Sequence, residues 1–373
     1  MRIVSVVGTR PQLIKAAALQ PALRARHSEV FVDTGQHYDE AMAGAFFAEL
    51  GLSRPDHSLG VSGGGHAGQT GRMLVALEPI LTAERPDAVL VYGDTNSTLA
   101  GGIAAAKLGI AVAHVEAGLR SFDSAMPEEL NRVLVDHLST WLFAPTPAAV
   151  DHLRAEGLTE GITQVGDLML DLASASLPLV RDPGVLRSIG SNLGVPLAPG
   201  RYLFATIHRA ENREPAAVER WVALLKHVAK PDRLVVLALH PGTRAVLERS
   251  ATALGDDVRI VEPQGYRTSL ALQYHAAAVL TDSGGVQREA AWLDVPCLVL
   301  RDRTEWVEAV ATSRGRMVLV GLDRDRAAAE LGRLAPRGAA SHKRAPISLT
   351  SDGAAEAITD ALEGGRTRPG AGR

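Results

Sequence analysis

The sequence is poor in cysteine and in aromatic residues. Its only cysteine, Cys297, lies in the apolar run VPCLVL, so no internal disulfide can form and a catalytic thiolate is not expected. Aromatic residues make up 4% of the 373 residues, while Ala, Val, Leu and Gly are abundant. Small aliphatic residues of this kind are typical of helices that pack tightly on parallel β-strands.

An excess of basic charge, a long apolar segment and a metal-binding pattern are also missing. The net charge of −3 gives no general basic field, so neither nucleic acid nor an anionic membrane is an expected partner. No Cys/His cluster has the spacing of metal ligands, and no apolar stretch reaches the roughly 18 residues that a membrane helix requires. The chain starts at once with the strand-like MRIVSVVG, which leaves no room for a signal peptide, so a cytoplasmic protein is expected.

Short β-rich runs alternate with longer amphipathic segments in both halves of the sequence. The alternation pauses in the Pro- and Gly-rich segment 177–201 and then restarts. This rhythm predicts an α/β fold with two Rossmann-like, doubly wound parallel sheets, and the cleft between the two domains is the expected active site. The strand candidates are Ile3–Val7, Glu29–Asp33, Ala88–Tyr92, Ala111–Val115, Leu142–Ala144, Tyr202–Thr206, Leu234–Leu239, Val258–Val261, Ala277–Thr281, Cys297–Leu300 and Met317–Val320.

Charged and polar residues follow these strands where each strand ends. Asp94, for example, comes soon after the apolar run 88–92. Asp94 or Thr95 could simply cap the helix that begins near Ser97. The pattern recurs after successive strands, however, and the tips of parallel strands are where α/β folds bind ligands. The recurring residues are Arg10, Lys15, Asp94, Glu116, Arg120, Glu128, Glu129, Arg132, His208, Arg209, Glu211, Asn212, His240 and Arg244.

The segment DSGGVQRE, residues 282–289, follows a predicted strand and opens a helix. Free amides at Ser283, Gly284 and Gly285 would form an anion site, and glycine lets a phosphate approach the backbone closely. Glu289 would lie about one turn inside the helix, where its carboxylate can reach a ribose diol. The alternative is a serine-capped helix after a tight glycine turn.

Dinucleotide and ATP-binding motifs are not supported. GGGHAG, residues 63–68, matches G-x-G-x-x-G, but no clear strand precedes it and no acid follows at the ribose position. A loop before a helix that starts near His66 is the preferred interpretation. The sequence also lacks G-x-x-x-x-G-K-[ST], so neither NAD nor P-loop ATPase chemistry is expected.

Seven motifs, taken together and in order, resemble the non-hydrolysing UDP-N-acetylglucosamine 2-epimerases. They are GTRPQLIK, GQHYDEAM, VYGDTNSTLAG, HVEAGLRS, MPEELNR, TIHRAEN and TDSGGVQREA, and the resemblance extends over about residues 3–321. It implies the GT-B fold, in which two Rossmann-like domains face each other and a C-terminal helix crosses back to the first. The implied domains are residues 1–170 with a helix in 351–363, and residues 171–350. Residues 364–373 are expected to form a disordered tail.

The resemblance further implies 2-epimerisation of UDP-GlcNAc to UDP-ManNAc without a cofactor, in nucleotide-sugar biosynthesis, by a cytoplasmic homodimer. UDP is eliminated in the anti sense across C1–C2 to give 2-acetamidoglucal, and it adds back after the C2 proton returns on the other face. The residues matched to catalytic positions are Asp94, Glu116, Glu128 and His208, the last of which contacts the departing phosphate. The implied substrate contacts are Arg10, Lys15, Gln264, Ser269, Ser283, Gly284, Gly285 and Glu289, with Gln264 and Ser269 in the uracil-side loop.

Two positions depart from the resembled family. Gln12 stands where members of that family often have the glutamate of GTRPE. Trp306 stands where many of them have the arginine of TERPE, which touches substrate. This variant pattern also resembles the branch that acts on UDP-2,3-diacetamido-2,3-dideoxyglucuronate. A hydrolysing epimerase that yields ManNAc and UDP, and a GT-B glycosyltransferase that uses a UDP-sugar, are further alternatives. Gln36 and His37 match residues that help some bacterial members bind a second UDP-GlcNAc as an activator.

Overall fold

The computed structural model describes residues 1–36, 47–239, 241–250, 252–304, 306–335 and 352–364. The chain divides into two compact units. Unit 1 comprises residues 1–172 together with 350–373, and unit 2 comprises residues 173–349. Across the described ranges, none of the helices combines the length and the apolar character needed to span a membrane.

Strands and helices alternate along both units. The strands are β1 (Arg2–Val7), β2 (Ser28–Asp33), β3 (His57–Ser58), β4 (Ala88–Tyr92), β5 (Ala111–Val115), β6 (Trp141–Ala144), β7 (Ile162–Gln164), β8 (Tyr202–Ile207), β9 (Leu234–Leu239), β10 (Val258–Val261), β11 (Ala278–Thr281), β12 (Cys297–Val299) and β13 (Met317–Leu319). The helices are α1 (Arg10–Arg26), α2 (His66–Glu84), α3 (Asn96–Lys107), α4 (Pro127–Leu138), α5 (Pro147–Ala155), α6 (Leu168–Val180), α7 (Pro183–Leu193), α8 (Pro215–Val228), α9 (Pro241–Arg249), α10 (Tyr266–His275), α11 (Gly284–Trp292), α12 (Val307–Thr312), α13 (Arg324–Leu334) and α14 (Ala354–Glu363), with a short 3₁₀ helix at Ala210–Arg213.

Unit 1 is built on a seven-stranded sheet with the order β3-β2-β1-β4-β5-β6-β7. All of its neighbouring strands are parallel. The central strands are buried runs of aliphatic residues, as expected for a sheet that helices cover on both faces. β1 and β4 are neighbours in space although two strands separate them in sequence, so the loops that follow them leave the sheet in opposite directions. This is the topological switch point at which open α/β sheets bind ligands.

Helix α14 joins unit 1 although it comes from the end of the described chain. Its apolar residues Ile358 and Leu362 are fully buried, and the helix packs against α1. Arg26, in the last turn of α1, pairs with Asp360 and lies 3.4 Å from the carboxylate of Glu363. The buried apolar face supplies the attachment, because exposed ion pairs of this kind contribute little to stability.

Unit 2 contains a six-stranded parallel sheet with the order β10-β9-β8-β11-β12-β13. Its core is formed mainly by Val and Leu from the strands, together with the buried Trp221 of α8. The indole Nε1 of Trp221 donates a hydrogen bond to the carbonyl of Asn212, 3.1 Å away, so its polar atom is satisfied. The switch point of this sheet lies between β8 and β11.

The two parallel α/β sheets confirm the predicted fold class. The predicted strands are present to within one or two residues at their ends, but the sequence analysis missed β3 and β7. Both are short edge strands whose residues are at least partly exposed, so they carry no hydrophobic pattern to detect. Helix α6 passes through residue 170, where we expected the first domain to end, and α7 occupies part of the Pro- and Gly-rich segment.

Candidate active site

Gln12 lies at the switch point of unit 1, where its side chain forms hydrogen bonds with both neighbouring turns. It is 1% exposed, and its Oε1 accepts hydrogen bonds from the amides of Gly8 and Thr9 at 2.8 and 3.2 Å. Because those amides can only donate, the orientation of the side-chain amide is fixed. Its Nε2 then donates to the carbonyl of Tyr92, at 2.7 Å, and to the hydroxyls of Thr95 and Thr98. Gln12 thereby ties the turn after β1 to the turn after β4.

Asp94 lies in the turn between β4 and α3, and α4 holds it from the other side. Asn131 donates from Nδ2 to the Asp94 carbonyl, at 2.9 Å, and Arg132 pairs with the Asp94 carboxylate. The side chain remains 31% exposed. Burial raises the pKa of Asp94 above its usual value, Arg132 and Lys15 oppose the rise, and Glu116 adds to it. A raised pKa makes the Asp94 carboxylate a stronger base than an ordinary aspartate.

Glu116 follows β5 in a backbone conformation that is uncommon for its residue type. Its φ is +74°, in the left-handed region, where a non-glycine residue is strained by about 1–3 kcal/mol. The amides of Glu116 and Ala117 both donate to the carbonyl of Phe143, each at 3.1 Å, which holds the turn. The carboxylate pairs with Lys15 of α1, and the two side chains are only 11% and 7% exposed.

Gly93 explains how the two acidic turns approach each other. A Cβ atom at Gly93 would lie 3.2 Å from Oε2 of Glu116 and 3.4 Å from Nζ of Lys15. The glycine also has φ +62°, which disfavours any side chain. The turn that carries Asp94 is therefore packed directly against the Lys15–Glu116 pair, and the tips of β4 and β5 form one cluster.

Helix α4 carries two adjacent glutamates with different surroundings. Glu129 is 7% exposed and accepts from the Ser121 amide and hydroxyl and from the Phe122 amide, each at 2.9 Å, and from Arg132 at 2.8 Å. These donors outweigh burial and lower the pKa of Glu129. Glu128 is partly exposed and makes no hydrogen bond or ion pair within the described part of the chain. The hydrogen bonds of Glu129 thus stabilise the loop at residues 121–122, whereas the carboxylate of Glu128 is available to a substrate.

The other residues predicted in unit 1 are partly outside the described structure. Arg10 starts α1 at the same edge of the sheet and is partly buried. Gln36 is buried, and its Oε1 accepts from the amide and hydroxyl of Ser97 at 2.9 and 2.7 Å. His37 lies outside the described residues, as do residues 365–373, which include most of the predicted tail.

His208 and Asp282 meet across the switch point of unit 2. His208 follows β8, and Asp282 follows β11 and is fully buried. Asp282 Oδ1 lies 2.8 Å from His208 Nδ1, and Oδ2 accepts from the Arg209 amide and from Asn212 Nδ2 at 2.9 and 2.8 Å. These donors outweigh burial and lower the pKa of Asp282. An ionised Asp282 fixes Nδ1 as the protonated nitrogen of the half-exposed His208 ring, which leaves Nε2 for a ligand.

The anion site predicted at DSGG begins a helix. Gly284 and Gly285 are the first residues of α11, and Ser283 is its N-cap without a side-chain capping bond. All three are partly exposed, so the amides of the first turn are accessible to an anion. The prediction of a free amide at Ser283 is wrong, because this amide donates to the hydroxyl of Thr281 at 2.9 Å.

The residues predicted to contact the nucleoside lie on α10, on α11 and in the loop before α10. Glu289 is 5% exposed, and Gln273 donates to its carboxylate. Gln273 Nε2 also lies 3.5 Å from the hydroxyl of Ser269. Gln264 precedes α10, and its Nε2 is bonded to the Glu262 carbonyl. Gln273 therefore connects two of the predicted contacts, and sequence reasoning had not identified it.

A positively charged side chain packs on the ring of Trp306. The guanidinium of Arg288, on α11, lies 3.9 Å from the centroid of the Trp306 ring, and Arg288 is only 6% exposed. This is a close cation–π arrangement. Arg301, a second cation close to Trp306 in the sequence, lies 3.6 Å from Glu211. Position 306 is aromatic, yet a positive charge is still present beside it.

The structure thus groups the predicted residues within each unit. Asp94, Glu116 and Lys15 meet in unit 1, and His208 joins Asp282 in unit 2. Other strand-tip residues have structural partners: Arg120 lies 2.7 Å from Asp136, and Arg244 lies 2.8 Å from Glu262. His240 lies outside the described residues. The sequence analysis missed Asp282 and Arg288, although both belong to the DSGGVQRE segment that it singled out.

Comparison with known proteins identifies the family of this chain. A family model described as UDP-N-acetylglucosamine 2-epimerase matches residues 21–363. The UDP-N-acetylglucosamine 2-epimerase homolog of Methanococcus maripaludis is 42% identical over 340 residues, which cover 90% of this chain and 93% of that protein. The UDP-2,3-diacetamido-2,3-dideoxy-D-glucuronate 2-epimerase of Pseudomonas aeruginosa is 44% identical over 331 residues, which cover 87% of this chain and 90% of that protein.

A solved structure is similar over nearly the whole length. It is Methanocaldococcus jannaschii UDP-GlcNAc 2-epimerase in complex with UDP-GlcNAc and UDP, with a TM-score of 0.84 and 37% sequence identity. The match covers 98% of this chain and 100% of that structure. The family model, the curated relatives and the solved structure all agree, and this chain belongs to the UDP-N-acetylglucosamine 2-epimerase family.

Proposed function

We propose that this protein is a non-hydrolysing 2-epimerase that converts UDP-GlcNAc to UDP-ManNAc. The observation that carries the proposal is the cluster in unit 1, where two acids from neighbouring strand tips are each paired with a cation from a different helix. Arg132 of α4 holds Asp94, and Lys15 of α1 holds Glu116. Family membership supports the reaction type, and the M. jannaschii relative was solved with UDP-GlcNAc and UDP.

The chemistry requires more than one carboxyl group. The C2–H bond of the sugar is not acidic, so a positioned base must remove the proton while the C1–O bond breaks. The C–H electrons form the C1=C2 bond of 2-acetamidoglucal, and UDP leaves with the C1–O electrons. A second acid then returns a proton to the other face of C2, and UDP adds back to C1. We assign these proton transfers to Asp94, Glu116 and Glu128, with Asp94 as the base candidate.

We assign the binding of UDP mainly to unit 2. The amides of Gly284 and Gly285, the hydroxyl of Ser283, and Nε2 of His208 when it also carries a proton can donate to the diphosphate, whose negative charge increases as C1–O breaks. The carboxylate of Glu289 is assigned to the ribose diol, and Gln264 and Ser269 to the uracil. Arg10 and Lys15 supply positive charge from unit 1. No step in this scheme needs a redox cofactor.

A second candidate differs only in the sugar. The P. aeruginosa relative is named as a UDP-2,3-diacetamido-2,3-dideoxy-D-glucuronate 2-epimerase and is 44% identical. Its substrate bears one more carboxylate and one more acetamido group than UDP-GlcNAc. The Arg288–Trp306 pair favours neither sugar, because it keeps a cation at the position where Trp306 departs from the resembled family. Measuring kcat/KM for both sugars decides between them, and a preference of about 10²-fold or more for the uronate would replace UDP-GlcNAc as the substrate.

The reaction itself is tested by incubating the protein with UDP-GlcNAc alone in heavy water and following it by proton NMR. We expect UDP-ManNAc with deuterium at C2. Free ManNAc and UDP would instead indicate a hydrolysing epimerase. If neither product forms with either sugar until an acceptor is added, the protein is a glycosyltransferase. The Asp94→Asn variant, prepared in the same way, is the control for a contaminating epimerase.

The homodimer implied by the family resemblance is a further part of the proposal. Sedimentation velocity measures it directly: a dimer of 39.4 kDa chains is expected. If the protein is a monomer with full turnover, the proposal of a homodimer is wrong, while the assignment of the reaction is unaffected.

A further inference from the structure

His114 lies inside β5, and the proposed chemistry does not use it. It is completely buried, and each of its two ring nitrogens faces an oxygen atom. Nε2 is 2.6 Å from the carbonyl of Gly93, and Nδ1 is 2.7 Å from Oδ1 of Asp136. A carbonyl oxygen can only accept, so Nε2 must carry a proton.

The other nitrogen is protonated for a similar reason. Asp136 is 0% exposed, and its second oxygen, Oδ2, accepts from the Gly118 amide at 3.1 Å and lies 2.7 Å from Arg120 Nη1. These donors and His114 outweigh burial and lower the pKa of Asp136, so the carboxyl group is ionised and only accepts. Both nitrogens of His114 therefore face oxygen atoms that accept, and the ring bridges the Gly93 carbonyl and the Asp136 carboxylate.

This buried pair connects the two turns that carry the proposed acids. The Gly93 carbonyl held by His114 directly precedes Asp94. The Gly118 amide held by Asp136 belongs to the turn that begins at the strained Glu116. Gly118 itself is confined, because its φ is +81° and a Cβ there would lie 2.2 Å from the Ala149 carbonyl. The positions of both turns therefore depend on the His114–Asp136 hydrogen bond.

The third proposed acid is connected through α4. Glu128, Arg132 and Asp136 are four residues apart, so they share one face of this helix. Asp136 anchors the buried end of that face, Arg132 pairs with Asp94 in the middle, and Glu128 lies in the first turn. The hydrogen bond between His114 and Asp136 therefore fixes how α4 is rotated about its own axis and where it lies along β5.

We propose that His114 is a positioning residue, whose ring bridges the Gly93 carbonyl and Asp136, donates from both nitrogens, and so sets the relative placement of Asp94, Glu116 and Glu128. This inference rests on the function proposed above. Proton transfer at carbon is sensitive to such placement, because a displacement of about 1 Å can lower the rate about 10²-fold. The binding of UDP, which we assign mainly to unit 2, does not depend on this pair.

The kinetic test compares His114→Gln and Asp136→Asn with wild type. We expect kcat to fall by about 10- to 100-fold in each, with the Kd of UDP within about twofold of wild type. The double variant should be no slower than the slower single variant, because both remove the same connection. His275→Gln is the matched control: His275 is also buried, bonds the Val180 carbonyl at 2.9 Å, and should keep the wild-type kcat.

A spectroscopic measurement on the wild-type protein does not require a stable variant. With ¹⁵N-labelled histidine at pH 7, we expect both ring nitrogens of His114 to give signals of the protonated type. A deprotonated nitrogen, or a folded His114→Gln variant that keeps kcat within about threefold, would overturn the inference. The proposed function fails in a different way: Asp94→Asn and Glu116→Gln would then keep their turnover.

Discussion

His208 Nδ1 and Asp282 Oδ1 lie 2.8 Å apart, across the switch point of the second parallel sheet. The carboxylate also accepts from the backbone amides of His208 and Arg209, so it fixes the loop as well as the ring. A histidine held in this way presents one defined nitrogen, Nε2, to the proposed diphosphate site.

We expect His208→Gln to lower kcat and UDP affinity together, because it removes the proposed phosphate contact. Asp282→Asn should have the larger effect on stability, since it places an amide NH₂ group or a neutral oxygen against donors that a carboxylate satisfies. Its unfolding free energy should drop by about 1–3 kcal/mol at pH 7. Isothermal titration with UDP and chemical denaturation measure the two effects. Equal UDP affinity in wild type and His208→Gln would remove the phosphate role.

The adjacent residues Glu128 and Glu129 on α4 allow a catalytic role to be distinguished from a structural one. Glu128→Gln should reduce turnover by about 10²-fold or more with little change in Tm, because Glu128 has no protein partner within the described residues. Glu129→Gln should lower Tm, because Glu129 is bonded to Ser121, Phe122 and Arg132. Turnover and thermal unfolding of the two variants check this. The reverse pattern would show that Glu129 is the catalytic acid.

Arg132 should control the pH at which Asp94 ionises. Burial raises the pKa of Asp94, and the charge of Arg132 partly offsets that rise. In Arg132→Gln the offset is lost, so the pKa should rise further and the acid limb of kcat/KM should move to higher pH. Arg154→Gln, an exposed substitution on α5, is the control and should leave the profile unchanged. An acid limb that stays in place would mean that a group other than Asp94 is the base.

Gln12→Glu tests whether the hydrogen-bond partners at the switch point require the neutral side-chain amide of Gln12. The new carboxylate would face the Tyr92 carbonyl, so its pKa should be raised in the folded state. A group with a raised folded pKa binds more protons when folded, so the loss of stability should be present at pH 7 and should disappear as the pH falls below about 4. Urea unfolding at several pH values measures this, with the exposed Gln164→Glu as control. A loss that is independent of pH would instead indicate a steric cause.

The sequence was informative about residues at the ends of strands. Asp94 and Glu116 could be predicted to lie close together, because parallel strands place their carboxyl ends along one edge and each strand is an unmistakable apolar run. The edge strands β3 and β7 could not be predicted, because strands so short and so exposed have no period to detect.

Contacts made by distant side chains were beyond the sequence. His114 lies in the apolar run AVAHV, where it looks like a core residue, and only the fold brings Asp136 of α4 to it. The cation beside Trp306 comes from Arg288, which has a different position in the chain from the arginine of TERPE. The left-handed Glu116 likewise depends on bonds to Phe143 in the neighbouring strand, which no local pattern encodes.

The return of α14 to unit 1 has a consequence for how the chain folds during synthesis. Residues 1–172 leave the ribosome first, but the surface of α1 that receives Ile358 and Leu362 stays uncovered until residues beyond 350 have been made. At typical elongation rates the intervening unit takes roughly 10 to 35 s to synthesise. During that interval the apolar surface of α1 that α14 later covers remains exposed to solvent. Unit 1 is therefore the first to start folding and the last to finish.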